Sequence, residues 1–195
     1  MGSPGFFMHQ PDFAMIYWLR QIIAIAALPF TVTVLIPLWI ARWNPSFKFG
    51  DGALERVGQA GGVLCLLVGL LLFFSSLRRF VRDGEGTLAP WDPPRKLVLR
   101  GPYRYVRNPM ISGVLFVLFG EALVMWSRPQ LSWALTFLAI NAIYIPLLEE
   151  PLLRSRFGEA YAEYCRNVRR LIPRIRPWDP ALGPLSPTSP MHNST

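Results

Sequence analysis

Cysteine, histidine and charged side chains are all scarce in this 195-residue chain. Its two cysteines, Cys65 and Cys165, fall in segments of different character, so we expect two free thiols rather than a disulfide scaffold. The two histidines, His9 and His192, lie near the ends, and the sequence predicts no metal site. Only 16% of the residues are charged and 52% are hydrophobic, which excludes a disordered chain.

Acidic residues are also few, since 12 aspartates and glutamates face 20 lysines and arginines, a net charge of +8. In a soluble protein this excess would suggest nucleic-acid binding, whereas in a membrane protein it is expected on cytoplasmic loops. The positions of the charges decide between the two, because residues 22–40, 57–77 and 129–148 carry none. Helices of this kind are long enough to cross about 30 Å of hydrocarbon.

The apolar runs predict an all-α fold, a polytopic membrane helix bundle with about four transmembrane helices. The spans lie near residues 16–41, 57–79, 110–126 and 131–148. Buried helices of a soluble bundle would show a polar stripe at 3.6-residue spacing, which these runs mostly lack. The glycines of the second span favour close helix approach, either within one chain or between two, so the oligomeric state stays open.

The arginines predict the orientation of the bundle. With four spans, both termini and the loop 80–108 lie on one side, which holds 16 of the 20 basic residues. The positive-inside rule places that side in the cytoplasm. We therefore expect a multi-pass protein of the bacterial inner (plasma) membrane, with membrane lipids and not nucleic acid as partners. Residues 15–179 would form the membrane domain, between an N-terminal segment (1–14) and a disordered tail (180–195).

Two predicted cytoplasmic segments, 83–109 and 149–176, place polar and aromatic residues next to the membrane. The first is too aromatic and apolar for a plain linker and should fold against another part of the chain. The second has apolar residues at helical spacing, which predicts a cytoplasmic C-terminal amphipathic helix at the membrane surface. Within the third span, Glu121 is costly unless it is paired, and Asn141 is the expected partner.

Glu149 and Glu150 stand where the fourth span meets the cytoplasm, where adjacent carboxylates repel each other and lose hydration. They would accept hydrogen bonds from ligand hydroxyls or an ammonium, or else pair with nearby arginines at a helix junction. Arg107 and Asn108 precede Pro109, which suits a first helical turn. The free N–H groups of that turn, with Arg107, would bind a carboxylate, or else Arg107 would only anchor the interface.

These residues predict a pocket with an acidic side, a cationic side and apolar access from the bilayer. A ligand with a carboxylate, an ammonium and sugar hydroxyls would suit it, and S-adenosylmethionine fits that description. The motif GPYRYVRNPMISG, followed by EEPLLRSRFGEAYAEYCRNVRRLIPR, resembles the isoprenylcysteine carboxyl methyltransferase family of integral membrane enzymes and the related phospholipid N-methyltransferases. The resemblance covers roughly residues 60–176.

The resemblance implies methyl transfer from S-adenosylmethionine at the cytoplasmic face to a lipophilic or membrane-associated acceptor, a small molecule or a lipid. It also implies which residues contact the cofactor: Arg95, Lys96, Leu97, Val98, Tyr103, Arg107, Asn108, Pro109, Gly113, Glu149 and Glu150. No catalytic base is visible in the sequence. A carboxylate acceptor would need none, whereas an ammonium acceptor would.

The chain departs from the family pattern at three places. Asn108 stands where the family has a histidine, and Ile111 where it has a tyrosine. The arginine that the eukaryotic carboxyl methyltransferases use for substrate falls here near Ile145 and Pro146, which are uncharged, and this counts against a prenylcysteine carboxylate acceptor. Two alternatives stay open: an NADPH-dependent membrane reductase of the sterol-reductase type, and a non-catalytic membrane scaffold.

Overall fold

The computed structural model describes residues 26–44, 52–83 and 97–179, and these ranges contain helices, turns and loops but no strand. The α-helices in chain order are α1 (Ile36–Trp43), α2 (Ala53–Asp83), α3 (Pro109–Val124), α4 (Arg128–Tyr144) and α5 (Glu150–Asn167). Two π-helical segments, Ala26–Leu35 and Ile145–Glu149, lead into α1 and α5. The all-helical class is therefore confirmed for the described residues.

Two helices are long and apolar enough to cross a membrane. They are Ala53–Asp83 and Arg128–Asn167, of which the second joins α4, the π-helical turn and α5. Leu28–Trp43 and Pro109–Val124 are apolar but shorter. Length and composition thus support two of the four predicted spans, and residues 16–25 of the first span lie outside the described ranges, as do the segments 1–14 and 180–195.

Helices α2 and α3 meet backbone to backbone along a stripe of glycines. Gly62 faces Gly120, and Gly69 faces Gly113. A Cβ atom added to Gly69 would lie 2.8 Å from the carbonyl oxygen of Gly113, a distance that real Cβ atoms do not reach. Only glycine permits so close an approach. The close packing predicted from the second span is therefore confirmed, and it is made within one chain.

Polar side chains of α4 bind the carbonyls of α1 and of the π-helical segment before it. The indole N–H of Trp133 donates to the Val32 carbonyl at 3.1 Å, and Gln130 Nε2 donates to the Pro37 carbonyl at 2.7 Å. In a π-helix the Val32 carbonyl would pair with the N–H five residues on, but residue 37 is a proline and has none. The indole thus satisfies a carbonyl that the helix leaves free, as an apolar environment requires.

The predicted pairing of Glu121 with Asn141 is wrong. Asn141 Nδ2 donates to the Phe137 carbonyl of its own helix at 2.8 Å. The Glu121 Oε2 atom is buried, and no residue in the described ranges hydrogen-bonds to it. An asparagine inside a helix can reach the carbonyl four residues back, so it does not depend on a carboxyl group of another helix.

The predicted helix 149–176 is helical only as far as Asn167. Residues 168–179, which we call the C-terminal strap, are not helical. Pro173 and Pro177 contribute to this, because proline lacks the N–H that a helix needs and clashes with the preceding turn. The prediction of a single helix over the whole segment is therefore wrong for its last nine residues, 168–176.

The C-terminal strap lies along the loop that precedes α3. Four main-chain hydrogen bonds link the two segments. The N–H groups of Arg107 and Asn108 donate to the carbonyls of Arg169 and Arg170 at 2.8 and 3.1 Å, and those of Arg174 and Trp178 donate to the carbonyls of Tyr105 and Arg104, both at 2.9 Å. These bonds take the place of the helical ones that the prediction assumed. They confirm that residues 97–108 fold against another part of the chain, while residues 84–96 of the loop lie outside the described ranges.

Candidate functional site

Tyr103 lies in a buried apolar cluster before α3, in a 3-10 turn that spans Gly101–Arg104. Its ring packs in a cluster with Phe80, Val98 and Met110. The Tyr103 carbonyl accepts a hydrogen bond from the hydroxyl of Tyr164 at 2.7 Å, so α5 fixes the turn in place. The hydroxyl of Tyr103 is itself buried, with no hydrogen-bond partner within the described ranges. Burying a hydroxyl without a hydrogen-bond partner costs free energy, so this hydroxyl is a candidate to bond to a ligand.

Glu149 is the second polar group of the site that lacks a partner. It is half-buried and forms no ion pair or hydrogen bond with any residue that the structure describes. Burial, and then the negative charge of Glu150, raises the pKa of Glu149 to about 7. Burial, and then the charge of Glu149, raises the pKa of Tyr103 as well. The phenol therefore stays neutral at physiological pH and able to donate a hydrogen bond.

Glu150 is paired with two arginines. Arg170 binds it through two hydrogen bonds, from Nε to Oε1 at 2.7 Å and from Nη2 to Oε2 at 2.9 Å. Arg107 Nη1 lies 3.0 Å from the same Oε1. Neighbouring residues of an α-helix point about 100° apart, so the two glutamates face different surroundings. The helix-junction interpretation, in which carboxylates pair with arginines, describes Glu150, whereas Glu149 pairs with no arginine in the described ranges.

Arg107 joins three parts of the chain. Its side chain is 11% exposed, and Nη1 contacts both Glu150 and the Cys165 sulfur, the latter at 2.6 Å. Its main-chain N–H donates to the C-terminal strap. The Nε atom is buried and, within the described part of the chain, has no acceptor. Arg107 therefore keeps a donor available after it has paired with Glu150.

Three further predicted residues follow Arg107 along the chain. Asn108 is the N-cap of α3, but its side chain makes no capping hydrogen bond. Its carbonyl accepts hydrogen bonds from Ser112, at 2.9 Å from the main chain and 3.0 Å from the side chain. Pro109 is fully buried in the first turn. Gly113 lies in the glycine stripe against α2, where its close contacts are with Gly69 and neighbouring backbone.

The remaining predicted residues come before Tyr103. Val98 is buried beside that tyrosine, and Leu97 packs against the cluster formed by Tyr161, Tyr164 and Val168. Arg95 and Lys96 lie outside the described residues.

Sequence reasoning missed several contributions from the C-terminal third of the chain. Arg170, which binds Glu150, was counted only as a topological charge. Cys165, a free thiol like Cys65, touches Arg107. Tyr164 lies in the quoted segment EEPLLRSRFGEAYAEYCRNVRRLIPR, and its place in that family motif was a usable signal.

In the described ranges the protein is all-helical, and two of its apolar helices are long enough to cross a membrane. Its candidate site is centred on the turn before α3 and contains polar groups without hydrogen-bond partners in those ranges. The family model for phospholipid methyltransferases matches residues 57–160, more than half of the chain, and the chain belongs to that family. It is 30% identical over 146 residues to the methanethiol S-methyltransferase of Pseudomonas deceptionensis, over 72% of this chain and 52% of that protein. The chain thus spans about half the length of this relative. No solved structure matches the chain.

These matches confirm the resemblance to integral membrane methyltransferases and favour it over the reductase. Family membership and the two long apolar helices point to a membrane location. The matched range contains Tyr103, Arg107, Glu149 and Glu150, and it ends before the C-terminal strap.

Proposed function

We propose that this chain is an integral membrane methyltransferase that uses S-adenosylmethionine and acts on a lipophilic or membrane-associated acceptor. One observation carries the proposal. Inside the range matched by the family, the Tyr103 hydroxyl is buried and the Glu149 carboxyl is half-buried, the charge of Glu149 raises the pKa of Tyr103, and neither group has a partner among the described residues. Buried polar groups of this kind fit a ligand that carries both a positive charge and hydrogen-bonding oxygens.

The residues of the site have distinct parts in this proposal. The Glu149 carboxylate would bind positive charge on the cofactor, and the Tyr103 hydroxyl would donate to an oxygen or nitrogen of it. Arg107, through its free Nε–H, and the first turn of α3 would bind a carboxylate. When bound, S-adenosylmethionine would supply an activated methyl group on a sulfonium sulfur. Val98 and Met110 would exclude water beside it.

We further propose a four-span topology with both termini in the cytoplasm and the cofactor pocket at the cytoplasmic face. The two shorter apolar helices, Leu28–Trp43 and Pro109–Val124, would be the first and third spans. The concentration of arginines around the pocket supports this orientation through the positive-inside rule. An acceptor would then reach the site from the bilayer.

For the acceptor we propose a small lipophilic thiol first, because the relative is a methanethiol S-methyltransferase. The uncharged Ile145 and Pro146, where an arginine would be needed for a prenylcysteine carboxylate, support a neutral acceptor. A phospholipid headgroup amine is the second class, after the name of the family.

Calorimetry on the purified full chain in detergent tests the proposal. We expect S-adenosylmethionine to bind and NADPH not to bind. With methyl-labelled cofactor, a small alkyl thiol should become labelled, and a phosphatidylethanolamine should be assayed beside it. Binding of NADPH alone would establish a reductase, and binding of neither would establish a scaffold. Either result would overturn the proposal.

The pKa of Glu149 predicts how cofactor binding depends on pH. Its value of about 7 means that the carboxyl is neutral below that pH and ionised above it. Because only the carboxylate attracts a cation, affinity should rise from pH 6 to pH 8, by up to about tenfold per pH unit below the pKa, and then level off. Calorimetry at several pH values measures the rise. Glu149→Gln should abolish the pH dependence, and a profile unchanged by this variant would contradict the assignment.

A further inference from the structure

A cavity lies between α5, the C-terminal strap and Arg107. Its volume is about 530 Å³. Eight residues line it: Arg107, Cys165, Arg166, Asn167, Val168, Arg169, Arg170 and Arg174. Five of the eight are arginines, and all except Arg107 lie beyond residues 57–160, the range matched by the family model. The cavity is therefore built mainly from the C-terminal part of the chain.

Few carboxylates balance these arginines. Glu150 is shared by Arg107 and Arg170, and Arg166 has only an exposed contact with Glu159 at 3.5 Å. Arg169 forms no ion pair within the described ranges. Several guanidinium groups around one cavity suit a phosphate, whose oxygens accept paired N–H donors.

The C-terminal strap also exposes two large apolar side chains beside these cations. Ile172 is 66% exposed and Ile175 is 99% exposed, on either side of Arg174. The strap cannot turn them inward freely, because Arg174 N–H is bonded to the Tyr105 carbonyl. Exposed isoleucines alternating with arginines are typical of a segment at a lipid interface. A free phosphate would occupy the cavity alone, whereas a phospholipid would also place acyl chains beside the isoleucines.

We propose that this cavity binds the headgroup phosphate of an anionic phospholipid, with the acyl chains of the lipid beside Ile172 and Ile175. The lipid is not the methyl acceptor. By contacting Arg166 of α5 and Arg169 and Arg174 of the C-terminal strap, its phosphate would hold the strap against the helix. Anionic lipid would therefore stabilise the folded chain.

Native mass spectrometry of the full chain in detergent tests the proposal with phosphatidylglycerol and phosphatidylcholine as probes. We expect phosphatidylglycerol to be retained preferentially. The double variant R166Q/R169Q should weaken its retention on the order of tenfold, because each arginine near an anionic lipid contributes appreciably. R42Q/R128Q removes the same charge from exposed positions at the opposite ends of the helices and should change nothing. If R166Q/R169Q does not fold, R169Q alone carries the comparison.

A second pair of measurements separates the lipid from a free anion. I172S/I175S should lower phosphatidylglycerol retention while leaving all five arginines in place. Inorganic phosphate should raise the thermal midpoint of the wild-type protein less than phosphatidylglycerol does. Equal effects of phosphate and lipid, or retention unchanged in both double variants, would overturn the proposal.

Discussion

Alanine in place of Glu149 should weaken S-adenosylmethionine binding by about 30-fold or more. Glu149 has no partner among the described residues, so its removal leaves no described protein group unpaired. The substitution should therefore reduce the favourable free energy of cofactor binding rather than the stability of the fold. Truncating one side of a buried charge pair costs about 2–5 kcal/mol. Arg107→Ala should have a comparable effect, and calorimetry on both variants measures it.

Matched controls separate binding from folding. Glu159→Ala and Arg154→Ala remove the same charges from exposed positions of α5 and should bind cofactor as the wild type does. Arg107→Ala also takes a partner from Glu150, so its thermal midpoint must be measured, and Arg107→Lys provides a version that retains the positive charge. Full affinity in both Glu149→Ala and Arg107→Ala would refute the assignment of the pocket.

Alanine in place of Gly113 should destabilise the protein by about 1–3 kcal/mol. The added Cβ atom would lie 2.8 Å from the Phe73 nitrogen and 2.9 Å from the Gly69 oxygen. Both are backbone atoms of α2, so neither can rotate away, and the two helices must separate. Gly69→Ala should act in the same way, because its Cβ would meet the backbone of α3. Denaturant unfolding in detergent micelles measures the loss.

Gly61→Ala is the control for both glycine variants. Apart from its chain neighbours and the nearby backbone of its own helix, no atom of the described residues lies within 4 Å of a Cβ at Gly61, and alanine is the better helix former by about 0.5–1 kcal/mol. This variant should therefore be neutral or slightly stabilised. If Gly61→Ala and Gly113→Ala lose the same stability, the close contact between α2 and α3 is not present in the protein.

Local chemistry made much of this fold predictable. Uncharged runs locate α2 and α4 because a polar residue in such a helix would have nothing to bind. Pro109 marks the first turn of α3 because its missing N–H costs nothing there. The carboxylate pair and Arg107 are candidates because a charge beside an apolar helix costs free energy unless it is paired or binds a ligand.

Long-range pairing could not be predicted in the same way. Adjacent glutamates look alike in sequence, yet Glu150 faces Arg170 and Glu149 does not, a difference set by rotation about the helix axis. The C-terminal strap was mistaken for helix because its apolar residues continue the spacing of α5. Its backbone instead bonds to residues in the range 104–108, some sixty to seventy positions earlier, and periodicity carries no information about such a partner.

The glycine stripe between α2 and α3 also limits how two copies of the chain can associate. Gly62 and Gly69 are already occupied by α3, so a homodimer cannot use that side of α2 without displacing its own neighbour. The free side of α2 instead presents Gly61 with the exposed Leu64 and Leu71. Any self-association through this helix would therefore be a leucine-rich contact between chains, because Gly62 and Gly69 are used in the contact with α3 inside each copy.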